Sequence, residues 1–118
     1  MHVGVAFVGM GAWALFANRA HGAAAIAPAL AQGTMSGLIT LVLKRALEAF
    51  AARMSGWTAY ALPPLTTAGA ILAVLVGVHS LIGTPEIAAT IAVPWSVSTL
   101  YAIVYTAALA RGRRGKLA

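Results

Sequence analysis

Residues 23–54 read "AAAIAPALAQGTMSGLITLVLKRALEAFAARM", and how this stretch is read decides the fold. From Ala23 to Leu43 it carries no charge. About 20 apolar residues in a helix span the roughly 30 Å hydrocarbon core of a bilayer, so this part is expected to cross a membrane. The part after it, "KRALEAFAARM", is made of good helix formers, and Lys44 stands four residues before Glu48 on one face. The helix is therefore expected to continue past the membrane into the cytoplasm, with Gly56 as its stop.

Composition extends this reading to the whole chain. The 118 residues are 61% hydrophobic and 8% charged, whereas about a quarter of the residues in soluble domains are charged. The expected class is an all-α integral membrane protein. Four transmembrane helices fit, at about 3–18, 23–43, 65–82 and 85–110, in a single domain over 1–118 that leaves only short loops. The first run has no basic segment before it, and "NRAHG" after it is a poor cleavage site, so it reads as a retained helix.

Eight Lys and Arg against two acids would suggest nucleic acid in a soluble chain, but here the basic residues flank apolar runs. With four spans, Lys44, Arg45, Arg53, Arg111, Arg113, Arg114 and Lys116 fall on one side and Arg19 alone on the other. Cytoplasmic flanks retain positive charge, so both termini are expected to be cytoplasmic. The tail "RGRRGK" lacks interleaved aromatic residues, so anionic lipid suits it better than a nucleic acid.

Punctuation between the later spans is clear. Trp57 and Tyr60 suit a membrane interface, and Pro63 and Pro64 suit the first turn of the third helix. In "HSLIGTPE", residues 79–86, Gly83 supplies a turn, Thr84 an N-cap, Pro85 a first helical residue and Glu86 a charge for the helix dipole. Pro94 is expected to kink the fourth helix.

Candidate functional residues are few. Asn18, Arg19, His21, His79 and Glu86 are expected at one membrane level near the outer surface, and His79, inside its span, is the strongest of them. Gln32, Ser36 and Thr40 repeat every four residues and share a face, with Gln32 near the expected midplane. On the fourth helix Thr90, Pro94, Ser98, Tyr101 and Tyr105 also share a face. Arg19, His21 and His79 could meet an anionic head group, with Gln32, Ser36, Thr40 and Ser98 lining a polar path. The same side chains could equally form a packing seam. Two small-residue faces, Gly33 with Gly37 and Gly69 with Ala73 and Gly77, are expected to let helix backbones approach closely.

Other chemistries find no pattern. The chain has no cysteine, no metal-ligand spacing such as H-x-x-E-H, no catalytic triad arrangement and no phosphate-binding glycine loop. An enzyme, a cofactor and a bound metal are not expected. In size, helix number and basic flanks, and faintly in "FANR" at Phe16 to Arg19, the chain resembles in outline the small four-helix GtrA-like proteins. That resemblance implies movement of polyprenyl-phosphate sugars across a bacterial inner membrane. The chain is also similar in length to small multidrug resistance transporters, but lacks a glutamate in its first helix. The leading expectation is a flippase-like transport protein for a lipid-linked or amphipathic substrate, working as a homo-oligomer or with a larger membrane partner. A non-catalytic accessory subunit is the rival, and a small ion channel a weaker third.

Overall fold

A computed structural model describes residues 2–117, those from 113 onward as backbone only. Among the described residues there are four α-helices: α1 (Val3–Ala17), α2 (Ile26–Ala51), α3 (Thr58–Ile82) and α4 (Ile87–Leu117). A 3-10 segment, Arg19–Ala25, joins α1 to α2 and turns at Gly22, whose φ of 60° favours a residue without Cβ. The last three helices are long and apolar enough to cross a membrane, while α1 is a shorter apolar helix of 15 residues. At about 1.5 Å per residue α1 reaches about 22 Å, less than a bilayer core.

The helices run up and down. Gly11 faces Ala29, Phe7 faces Gly33 and Val3 faces Gly37, so α1 and α2 are antiparallel and close. Trp95 of α4 donates to the Ala68 carbonyl of α3 at 2.9 Å, across the second hairpin. Among the described residues α2 and α4 each touch all the other helices, whereas α1 and α3 do not touch one another. The bundle is thus a flattened rhombus, 57 Å long but only 23 by 16 Å across. Its core holds Met35, Leu43 and Leu47 of α2, Ile71 and Leu75 of α3, and Ile91 and Ala102 of α4. Val5, Leu30, Leu81 and Val104 point outward, as lipid-facing side chains do.

Several boundaries differ from the sequence reading. The helix α3 starts at Thr58, so Pro63 and Pro64 lie in its second turn rather than its first. Their missing N–H groups leave the α3 ladder short, and the Thr67 hydroxyl bonds back to the Pro63 carbonyl at 2.9 Å. Gly56 does not end α2, which stops at Ala51; it turns the connection instead, at φ 64°. α4 continues through Pro94 and carries the basic tail as helix.

Candidate functional site

Polar side chains gather where α1 ends, α2 begins, α3 ends and α4 begins. The end of α3 is a Schellman turn: Gly83, at φ 71°, donates to the Ser80 carbonyl, and Thr84 N–H donates to the His79 carbonyl at 2.9 Å. This turn brings the Thr84 side chain back over α3. Its hydroxyl lies 2.6 Å from His79 Nδ1, so it does not cap α4 as the sequence suggested.

His79 is fully buried, and its other nitrogen, Nε2, lies 2.8 Å from Gln32 Oε1 on α2. An amide oxygen can only accept, so Nε2 carries the proton. In the neutral ring the Thr84 hydroxyl then donates to Nδ1. Gln32, also fully buried, passes its amide N–H to Ser36 Oγ at 2.9 Å. One chain of hydrogen bonds therefore runs Thr84, His79, Gln32, Ser36, and ties α2 to α3. Gln32 lies about 9 Å along α2 from Ile26.

Asn18 organises the other pair of helices. It is fully buried, and one side chain holds three partners: Nδ2 donates to the Ala14 carbonyl at 2.9 Å and to Thr90 Oγ1 at 2.7 Å, while Oδ1 accepts from Glu86 N–H at 2.9 Å. Asn18 thus supplies from α1 the acceptor that the start of α4 needs. Trp13 adds a bond from Nε1 to the Ala89 carbonyl at 2.9 Å, and His21 Nε2 lies 3.3 Å from Glu86 Oε1 at the surface.

The remaining candidates are distributed. Arg19 does not join His79: its guanidinium folds over the Phe16 ring, 3.9 Å from the centroid, and donates to the Phe16 carbonyl at 2.9 Å. Thr40 bonds back to the Ser36 carbonyl at 2.8 Å, and Ser98 to that of Trp95 at 3.1 Å. Ser36 and Ser98 line a void of about 10 Å³ between α1, α2 and α4 with Pro94, Ala6, Met10, Ile39 and Val97. That is at most the room one water needs.

The two small-residue faces part company. Gly33 and Gly37 pack against α1 as expected. Gly69 and Gly77 have no such neighbour within the chain: a Cβ on either would meet nothing within 4 Å, because α3 turns that face, with Ala73, outward. Sequence reading did not single out Trp13, Trp95 or the Thr84 bond, nor the partner of Tyr105, whose hydroxyl donates to Glu48 Oε2 at 2.7 Å. A lone indole or hydroxyl on an apolar helix announces a need for a partner but not which one.

Among the described residues no group of His, Cys, Asp and Glu could hold a metal ion. No family model, curated protein or solved structure matches the chain. The resemblance in outline therefore carries no residue roles across.

Proposed function

We propose that the chain acts as a small non-catalytic subunit in a membrane, stabilising or localising a larger membrane enzyme or transporter. The observation that supports this reading best is how the interior polar groups are used. His79, Gln32, Ser36, Thr84, Asn18 and Thr90 bond to one another, and they fasten the bundle. Such networks give a rigid body suited to presenting an outer surface. The surface in question is the outward face of α3, where Gly69, Ala73 and Gly77 allow another helix to approach closely.

In this reading Lys44, Arg45, Arg53 and the α4 tail mark the cytoplasmic end of a bacterial inner-membrane protein with both termini inside. Labelling of single cysteines in intact cells checks the orientation, since the chain has none of its own. Ala20→Cys should react with an impermeant thiol reagent from outside, and Ser55→Cys should not; the reverse pattern would invert the assignment.

Ala73→Cys, treated with a thiol crosslinker in native membranes, tests the subunit reading. A discrete adduct with a larger protein, abolished by Gly77→Leu, is expected. An adduct of two copies alone would make the chain a homo-oligomer instead.

A second reading, transport of a lipid-linked or amphipathic anionic substrate, draws support from Ser36 and Ser98 lining, beside Pro94, the same small void between α1, α2 and α4. A kink of α4 at Pro94 would be the step that widens this void, with Arg19, His21 and His79 near the head group. Purified protein in vesicles that flips a fluorescent polyprenyl phosphate, and loses this on Gln32→Leu while staying folded, would favour transport over the subunit role.

A further inference from the structure

The ridge of α2 that α1 covers is longer than α1. Ala29, Gly33, Gly37, Leu41 and Arg45 follow one another at steps of four, as one helical ridge. α1 seats Gly11, Phe7 and Val3 on the first three of these positions. It begins at Val3, with the His2 side chain accepting from Val5 N–H as its cap, so Leu41 and Arg45 stand exposed beyond it. A shallow, open groove lies there, lined by Leu41, Val42, Arg45 and Ala46 of α2.

Depth and charge identify the occupant. Arg45 lies about 28 Å along α2 from Ile26, at about 1.5 Å per residue, and a bilayer core is about 30 Å thick. With the Ile26 end at one boundary, the guanidinium therefore stands at the head-group level of the opposite leaflet, while Leu38, Leu41 and Val42 lie deeper, exposed at acyl-chain level. Among the described residues the Arg45 side chain has no ion-pair or hydrogen-bond partner. A guanidinium offers a planar fork of donors that fits a phosphate bidentately. Lys44 and Arg45 outweigh Glu48 at this end of α2, and the net positive field favours a lipid of net negative charge over a zwitterionic one.

We propose that this groove binds one anionic glycerophospholipid, its phosphate on the Arg45 guanidinium and one acyl chain along Leu41 and Val42. The site is independent of the outward face of α3 and of the subunit role. It fills the part of the bundle that the short α1 leaves uncovered, and so gives α2 a neighbour along the full membrane depth.

Native mass spectrometry of protein released from nanodiscs of equal parts phosphatidylglycerol and phosphatidylcholine tests the site. The wild type should retain one phosphatidylglycerol. Arg45→Gln should retain at least about tenfold less, as loss of a charge-assisted hydrogen bond implies. Val42→Trp, which fills the groove and leaves every charge in place, should lose the lipid as well, whereas Arg53→Gln should keep it. Glycerol phosphate, a head group without chains, should not displace the bound lipid. Equal retention by Arg45→Gln or Val42→Trp, equal loss in Arg53→Gln, equal retention of phosphatidylcholine, or displacement by glycerol phosphate would each overturn the proposal. A lipid-free dimer of the wild type would put a second copy in the groove and overturn it too.

Discussion

Gly33 with Gly37 and Gly69 with Gly77 are the same sequence signal put to opposite uses. On α2 the glycines let α1 come so close that a Cβ at position 33 would lie 2.8 Å from the Phe7 carbonyl oxygen. On α3 the glycines face outward with open space before them. Small residues in a membrane helix therefore state that a close approach is permitted, and not whether its partner lies in the same chain. What decides between the two is the polar network. The hydrogen bond that His79 donates to Gln32 of α2 orients the buried face of α3 inward, and Gly77, two residues before His79, must then point elsewhere.

Cutting that network is the strongest way to break the contrast. His79→Ala removes a fully buried ring and leaves Gln32 Oε1 and the Thr84 hydroxyl without their partner. Cavity and lost hydrogen bonds together should cost roughly 3–5 kcal/mol, read as a shift in denaturant-induced unfolding in detergent micelles. With its anchor gone, α3 should also rotate, and Ala73→Cys should lose whatever crosslink it forms in the wild-type background. Full stability in His79→Ala would mean that apolar packing alone sets the rotation of α3.

Gly33→Ala comes next. Its new Cβ meets backbone, which cannot swing aside as a side chain would, so α1 must move off α2. Overpacking of this kind should cost about 1–3 kcal/mol. Gly37→Ala, where the Cβ would lie 3.5 Å from the Val3 side chain, is an ordinary contact and should cost measurably less in the same unfolding experiment. Equal effects at the two positions would show that α1 packs loosely along the whole seam.

The sequence told much about this fold and less about its contacts, for a physical reason. The helices were legible because long apolar runs fill a chain that has little else, although only three of the four are long and apolar enough to cross a bilayer core. The end of α3 was legible at Gly83, since only glycine takes its left-handed conformation cheaply. The pairing across helices was not. Asn18 serves as acceptor for Glu86 N–H, 68 residues away, and Thr84, the natural local cap, is bonded to His79 instead. A cap residue is recognised from its neighbours in sequence, and a competing partner from another helix leaves no local trace. Pro63 and Pro64 misled for a related reason: proline marks a first turn when helix ends are free, but α3 reaches back to Thr58 through its own prolines.

The gentlest perturbation sharpens the contrast most, because it has the opposite sign. Gly77→Ala or Gly69→Ala adds a methyl group to open space, with no contact to disturb inside the chain. Alanine favours a helix interior over glycine by about 1 kcal/mol, so either variant should unfold slightly later than the wild type when the purified chain is measured alone. In native membranes the same methyl groups stand where the subunit reading seats a partner helix, and there they should weaken the Ala73→Cys adduct. A variant that is more stable when isolated yet poorer in its membrane context would separate the two uses of glycine within one molecule. If Gly77→Ala destabilised the isolated chain, the outward face of α3 would already be packed against another copy.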